Sequence, residues 1–187
     1  RAQIRDAVRE GWLRHARRDV YLSAGVPESV FRAQRVGGRL DCVSALELMG
    51  VYVHKRFRLH VQVDPRHARL RSPVSRAKRL GSDGASAVVH WRDVRGDAHT
   101  VDPVSAIVQS FGCQEPRHVV ASIDSALHLG IIDQDDLDEI FARVPRRFRR
   151  LRRLVDGRAE SGPETLARLL VRQFGRSVEV QKTIAGV

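Results

Sequence analysis

The chain lacks a long hydrophobic run: no stretch of about eighteen apolar residues occurs that could cross a bilayer. Its first ten residues are also too charged for the hydrophobic part of a secretory signal. We therefore exclude a membrane-spanning protein and expect a soluble, cytoplasmic one. With 187 residues, the chain is long enough to bury a core in one sizeable domain or two small ones.

Cysteine is scarce, and Cys42 and Cys113 show no Cys-x-x-Cys spacing. Both lie in apolar helical contexts, so we expect buried thiols and neither a disulfide framework nor a zinc site. The His-Glu-x-x-His, Walker and Gly-x-Ser-x-Gly runs do not occur. The eight histidines are scattered, with His54 and His60 the closest pair. The sequence predicts no metal site and no cofactor in this chain.

Lysine is nearly absent: 30 of the 33 basic residues are arginine. The net charge of the chain is +11. A charge of this size attracts polyanions, and guanidinium groups bind phosphate in a bidentate manner. Nucleic acid is therefore the first partner to consider. The alternative is that high-GC coding makes arginine common in all proteins of such genomes, whether or not they bind nucleic acid.

The first segment, Arg1–Gly11, has apolar residues on one helical face and arginines on another, which predicts a helix. The segment Trp12–Leu22 is short, basic and rich in strand formers towards its end, which is compatible with a two-stranded ribbon. An ordinary amphipathic helix followed by a hairpin explains the same pattern without any function.

The central stretch Gly38–Val63 predicts a short helix followed by a strand. Apolar residues from Leu40 to Met49 recur at near-helical spacing, with Asp41 as a candidate cap and Gly50 as the stop. From Leu59 to Val63, apolar and polar residues alternate, as in a half-buried strand. Around it we predict a helix in Ser29–Arg35, a basic loop in Asp64–Gly84, and strands at Ala87–Trp91 and His99–Val101.

From Asp102 onwards the pattern is helical, with helices predicted near residues 103–111, 116–129 and 135–143. A small sheet packed with these helices makes an α+β fold. The acids between Asp133 and Glu139 invite a metal hypothesis, but acids in a first helical turn also offset the macrodipole, and we favour that role.

Two further segments carry candidate functional residues. Pro145–Val155 combines an apolar stripe with six arginines, which suits either a solvated helix face or a contact to the DNA backbone. Residues Asp156–Glu160 are the best candidate linker, and Ser161-Gly162-Pro163-Glu164 then opens an amphipathic helix with the pattern of a capping box.

The run from Cys42 to Val53, followed by Leu59–Val63, resembles the middle of actinobacterial proteins related to AbiEi-type antitoxins. Those proteins often continue into a very-short-patch-repair-like endonuclease domain of the PD-(D/E)xK class. The segment Glu160–Leu166, followed by Val178–Gln181, resembles the opening helix and first strand of that nuclease domain.

The resemblance implies three regions: a partial winged-helix-like DNA-binding segment in 1–23, an AbiEi-like α+β domain in 24–156, and the start of a restriction-endonuclease-like domain in 161–187. The helix would enter a groove and the ribbon would be the wing resting on phosphate, as in a winged helix-turn-helix. We expect the DNA-binding residues to be arginines of these segments: Arg5, Arg9, Arg14, Arg17, Arg18, Arg146, Arg149, Arg150 and Arg153.

For catalysis, the resemblance places only Glu164 near a metal site, in an auxiliary role. Metal-dependent cleavage of a phosphodiester needs at least two acidic ligands, and in the family they lie on strands after the one predicted to end at Val180. Mg²⁺ would be a cofactor only if the full-length protein is a nuclease. Whether the protein is an enzyme stays open at this point, and the chain as given is expected to be inactive.

Three functions are compatible with the sequence. The first is a DNA-binding protein that is either antitoxin-like or a transcriptional regulator. Its partner would be duplex DNA, and an antitoxin-like protein would also bind a toxin protein. The second is the specificity portion of a very-short-patch-repair-like endonuclease. The third is a protein-interaction scaffold whose charge reflects genome composition alone.

Overall fold

The computed structural model describes residues 2–54 and 58–176. The chain divides into two compact units, the first made of residues 1–44 and 57–102 and the second of residues 45–56 and 103–187. Each unit is described by itself below. The boundaries expected from the sequence, at 23, 156 and 161, remain predictions.

The first unit begins with helix α1 (Ala2–Arg9) and a hairpin of β1 (Leu13–Arg17) and β2 (Val20–Ser23). Both were predicted, and Gly11 follows the helix with φ +82°, a conformation that glycine adopts without strain. Helix α2 (Glu28–Val36) comes next and buries Val30, Phe31, Ala33 and Val36. These apolar positions anchor the segment that precedes the central stretch.

The central stretch contributes β3 (Arg39–Leu40), helix α3 (Cys42–Leu48) and β4 (Leu59–Val63), and β5 (Ala87–Trp91) completes a sheet of order β3-β4-β5. Strand β3 is antiparallel to β4, and β5 is parallel to it. Gly38 allows the close approach of β3, because a Cβ at this position would lie 1.9 Å from the Gln62 carbonyl oxygen. The sheet therefore depends on a residue without a side chain at its entry.

Two sequence expectations about this sheet were wrong in detail. Strand β4 is buried at all five positions, whereas alternation predicted a half-buried strand. The polar side chains are accommodated by partners, since Gln62 accepts a hydrogen bond from Arg39 at 2.7 Å and His60 lies against His90. The third strand is Arg39–Leu40, and the segment His99–Val101 makes only isolated bridges, one of them between Leu40 and Thr100.

The first unit also contains a buried ion pair beside the sheet. Asp41 accepts hydrogen bonds from the Arg92 guanidinium at 3.0 and 2.5 Å, and from the Cys42 N–H at 2.6 Å. Its carboxylate, which the sequence suggested as a helix cap, therefore joins the start of α3 to the segment after β5. Removing one partner would leave a buried charge uncompensated.

The second unit is helical within the described residues, with α4 (Pro103–Ser110), α5 (Pro116–His128), α6 (Gln134–Arg143), α7 (Arg146–Arg149), a 3₁₀ helix (Arg150–Leu154) and α8 (Gly162–Gln173). Helix α5 packs on α8, and α4 packs on α6. Ile107, Ile123 and Ile140 are fully buried in this packing. The predicted mixture of a small sheet and helices is thus confirmed as an α+β fold.

Side-chain hydrogen bonds from acidic residues begin helix α6. The Asp133 carboxylate accepts from the N–H groups of Asp135 and Asp136, and Asp136 accepts in turn from the Asp133 N–H, which makes a capping box. The acids that invited a metal hypothesis thus begin α6. None of the described helices combines the length and the apolar character needed to cross a membrane.

Candidate nucleic-acid interface

The positive charge is unevenly divided between the two units. The first unit (residues 1–44 and 57–102) contains 18 basic and 10 acidic residues. The second unit (residues 45–56 and 103–187) contains 15 basic and 12 acidic residues. The first unit therefore carries most of the net charge of +11. Because polyanions respond to local field rather than to total charge, the candidate interface is sought in this unit first.

Helix α1 and the β1–β2 hairpin present three of the predicted DNA-binding arginines to solvent. Arg5 and Arg9 are exposed on α1, and Arg9 pairs with Asp6 at 3.1 Å. Arg18 lies at the turn of the hairpin with a side chain 96% exposed, 3.4 Å from the carboxylate of Asp19, whose side chain is 86% exposed. Exposed pairs of this kind contribute little energy, so these guanidinium groups can exchange their carboxylate for a phosphate.

Arg14 is placed differently, because it is engaged within the protein. Its guanidinium donates to the Glu28 carboxylate at 2.5 Å and lies 3.7 Å from the centroid of the Phe31 ring. It is half-buried at this position. For a direct contact with phosphate, the Arg14 guanidinium would have to leave Glu28. In its present position Arg14 mainly adds to the positive electrostatic potential around Phe31.

We name a group of four arginines the Phe31 cluster. Arg14 and Arg35 lie over the Phe31 ring, and the positive charges of Arg32 and Arg76 act on Arg35. The Arg35 guanidinium lies 4.5 Å from the ring centroid and donates to the Pro73 carbonyl oxygen. Arg76 donates to His15 on strand β1. The cluster therefore brings together arginines from β1, α2 and the basic loop.

The charges of the Phe31 cluster are not balanced locally. Burial, the largest influence, lowers the pKa of Arg35, and the positive charges of Arg14, Arg76 and Arg32 lower it further, while Glu28 opposes them. Among the described residues that act on Arg35, Glu28 is the single acid. Repulsion of this kind is relieved when an anion binds.

Three arginines of the first unit also have an unsatisfied donor. The Nε atoms of Arg17, Arg32 and Arg35 are buried and have no hydrogen-bond partner in residues 2–54 and 58–176. A buried donor without an acceptor costs about 1–3 kcal/mol. These Nε atoms are closed to solvent, so they are a cost within the fold and are not themselves contacts for a phosphate.

The arginines predicted to bind DNA in the second unit are either exposed or bonded to backbone carbonyl oxygens. Arg149 donates to the carbonyl oxygens of Ala142 and Val144, which helps to end α6. Arg146, Arg150 and Arg153 are exposed. This segment remains a candidate for backbone contact, but its neighbour Arg152 pairs with Asp138, so part of its charge is compensated.

Sequence reasoning missed Arg32, Arg35 and Arg76 as members of one group. Arg32 and Arg35 are three residues apart on α2, a spacing that places both on one helix face with Glu28, and this signal was available. Arg76 belonged to a loop predicted only as generally basic. Its approach to β1 depends on tertiary structure.

Glu164 is placed as a helix cap by its contacts. The Ser161 hydroxyl donates to the Glu164 carboxylate at 2.9 Å, and the second carboxylate oxygen accepts from the Glu160 N–H at 3.2 Å. The Ser161 oxygen also accepts from the Glu164 N–H. The strand predicted at Val178–Gln181, which the nuclease reading requires, lies outside the described residues.

Glu164→Gln is expected to lower the free energy of unfolding by about 1 kcal/mol or less, because glutamine also serves in a capping box. The chain should not nick supercoiled plasmid with Mg²⁺ or Mn²⁺, before or after this change, since one carboxylate cannot hold a catalytic cation. Thermal unfolding and a plasmid assay measure the two effects. Nicking by the unaltered chain that Glu164→Gln abolishes would show that other acids complete a metal site.

One group in the first unit has donor atoms suited to a metal ion. Cys42, His60 and His90 are buried, and their potential ligand atoms all lie within 4.8 Å of one another. The histidine nitrogens Nδ1 of His60 and Nε2 of His90 are 3.1 Å apart. The sequence predicted no metal site, because these residues are separated by 18 and 30 positions and match no ligand motif.

Comparisons with protein-family models, with curated proteins and with solved structures found no match to this chain.

Proposed function

We propose that this chain binds duplex DNA through the phosphate backbone, and that the first unit carries the contact. The observation that supports the proposal most is the Phe31 cluster, in which the positive charges of three other arginines act on Arg35 and Glu28 is the one acid acting on it within the described residues.

Phosphate is the ligand class that fits these features. Guanidinium groups donate in a planar fork that matches two phosphate oxygens, and a row of phosphates can engage several arginines at once. The exposed Arg5, Arg9 and Arg18 extend the basic surface along α1 and the hairpin. Contacts of this kind position a protein on DNA without reading its sequence.

Such binding would serve an antitoxin-like protein or a transcriptional regulator, which both act on an operator. The endonuclease alternative shares the DNA contact and differs in needing metal-binding acids. Within the described residues no feature favours cleavage over binding, so DNA binding is the function we propose.

The proposal predicts a steep salt dependence of DNA binding. Each phosphate contact releases condensed counterions, so affinity should fall by roughly tenfold or more between low and physiological salt. Fluorescence anisotropy with labelled duplexes of unrelated sequence, titrated at several salt concentrations, measures the slope. Affinity that does not change with salt, or a chain that fails to bind at low salt, would contradict the proposal.

A further inference from the structure

The sheet of the first unit brings two histidines to one place. Strands β4 and β5 are parallel, and their register pairs His60 with Val88 and Gln62 with His90. His60 and His90 are therefore diagonal neighbours, two positions apart in register and on the same face of the sheet. Their rings lie with centroids 5.3 Å apart and tilted by 37°.

Cys42 reaches this pair through the end of β3. The Asp41 N–H donates to the His60 carbonyl oxygen at 3.0 Å, and the His60 N–H donates to the Ser44 hydroxyl oxygen at 3.0 Å. Cys42 lies between these two bonds, so its position along the chain is set against His60. The buried Asp41–Arg92 ion pair holds the same turn from the other side of the backbone.

The backbone at Cys42 is in the left-handed region, with φ +52°. A residue other than glycine, asparagine or aspartate seldom adopts this conformation, which costs of order 1–3 kcal/mol and persists where surrounding contacts demand it. At Cys42 the turn directs the first residue of α3 towards the histidines. A residue type that binds metals thus occupies a strained backbone position, and its thiol lies close to two histidines.

The spacing of the donor atoms suits a small tetrahedral ion. With Zn–N bonds of about 2.0–2.1 Å, two nitrogens of a tetrahedral site are about 3.3 Å apart. The 3.1 Å between His60 Nδ1 and His90 Nε2 is close to that value, and the Cys42 Sγ lies within 4.8 Å of both. Zinc binding would bring these three atoms to a common centre.

We propose that Cys42, His60 and His90 bind one Zn²⁺ ion, with a fourth coordination position outside this set. A thiolate with two imidazoles is a ligand set for zinc, whereas Mg²⁺ and Ca²⁺ prefer oxygen ligands. The ion would join the start of α3 to β4 and β5, and so stabilise the unit that carries the Phe31 cluster. The proposal does not depend on DNA binding, since it rests on other residues.

Metal titration of the full chain tests the proposal directly. After chelation and buffer exchange, the chain should bind one Zn²⁺ tightly, measured by competition with a chromophoric chelator and by elemental analysis. Co²⁺ in place of Zn²⁺ should give a thiolate-to-metal charge-transfer band and the visible bands of tetrahedral cobalt. A chain that binds no metal in this assay, or binds Co²⁺ without the charge-transfer band, overturns the proposal.

Single substitutions then locate the site. Cys42→Ser, His60→Gln and His90→Gln should each weaken Zn²⁺ binding by roughly a hundredfold or more, and Cys42→Ser should also remove the charge-transfer band. His67→Gln is the matched control, because His67 is an exposed histidine of the same unit. Equal Zn²⁺ affinity in the three variants and the control would show that the metal binds elsewhere.

The change in Tm on adding Zn²⁺ separates loss of a metal ligand from general damage to the fold. Saturating Zn²⁺ should raise the Tm of the unaltered chain and of His67→Gln by several degrees, because a ligand that binds the folded state stabilises it. The Tm of Cys42→Ser should be nearly independent of Zn²⁺, even if it starts lower. A Zn²⁺-dependent rise of equal size in Cys42→Ser would contradict the assignment of this residue as a ligand.

Discussion

Replacing Arg32 and Arg76 together with glutamine is expected to weaken duplex DNA binding by roughly tenfold or more at low salt. Both residues belong to the Phe31 cluster, and their charges act on Arg35. If each contacts a phosphate, the logarithmic salt slope should also fall by about two. Glutamine is shorter than arginine but keeps part of the apolar stem and a polar end, so the change mainly removes charge.

A matched control is available on helix α8 and just beyond it. Arg172 and Arg176 are exposed, and replacing both with glutamine removes the same net charge from the second unit. This control should lose affinity by only a small factor at low salt and should keep its salt slope. If both double variants weaken binding equally, general charge rather than the Phe31 cluster governs the interaction, and our assignment of the interface is wrong.

Arg168→Met is expected to lower the free energy of unfolding of the second unit by about 3–5 kcal/mol, the effect of leaving one member of a buried ion pair alone. Arg168 is 5% exposed and donates to the Asp124 carboxylate at 2.6 Å and to the Leu154 carbonyl oxygen at 2.8 Å. Methionine retains much of the apolar stem but no donor. Chemical denaturation followed by circular dichroism measures the change.

The remaining carboxylate makes this variant sensitive to pH. Burial raises the pKa of Asp124, against the lowering effects of the Asp156 N–H, Thr165 and Arg168, and the variant loses the last of these. The folded state then binds a proton more readily than the unfolded state, so stability falls as pH rises through the folded pKa. Arg168→Met should therefore lose stability as pH rises from the ordinary pKa of an aspartate towards neutrality, which denaturation at several pH values measures.

Arg172→Met is the control for this prediction, because Arg172 is exposed on the same helix, one turn after Arg168. Its effect should stay within about 0.5 kcal/mol. A loss of similar size in both variants would mean that α8 depends on its arginines for helix propensity, and that the ion pair with Asp124 contributes little.

The local features of this protein could be predicted because neighbouring residues decide them. Asp133 begins α6 and Ser161 begins α8 through hydrogen bonds within three residues, and both patterns are visible in the sequence. A two-stranded ribbon was compatible with Trp12–Leu22 because this segment is rich in strand formers towards its end, and the structure has a hairpin of Leu13–Arg17 and Val20–Ser23 there. The α+β class follows from these elements together.

The burial of strand β4 shows where local pattern was insufficient. Alternation of apolar and polar residues in Leu59–Val63 predicted one wet face. The polar face is instead covered, because Arg39 and His90 arrive from separate parts of the chain and pair with Gln62 and His60. A periodic pattern describes side-chain polarity, but it contains no information on which distant partners will satisfy a polar group.

By itself, the sequence determined the approximate positions of the main helices, the capping box at Ser161, the excess of arginine and the presence of a basic ribbon, all properties of composition or of contacts a few residues apart. Only the tertiary structure decided which arginines interact electrostatically, since the packing of β1, α2 and a loop brings the charges of Arg14 and Arg76 close enough to act on Arg35. The same holds for Cys42, His60 and His90, which the strand register and the turn at Asp41 bring together. Electrostatic fields and metal coordination depend on distances in space, and sequence separation does not encode those distances.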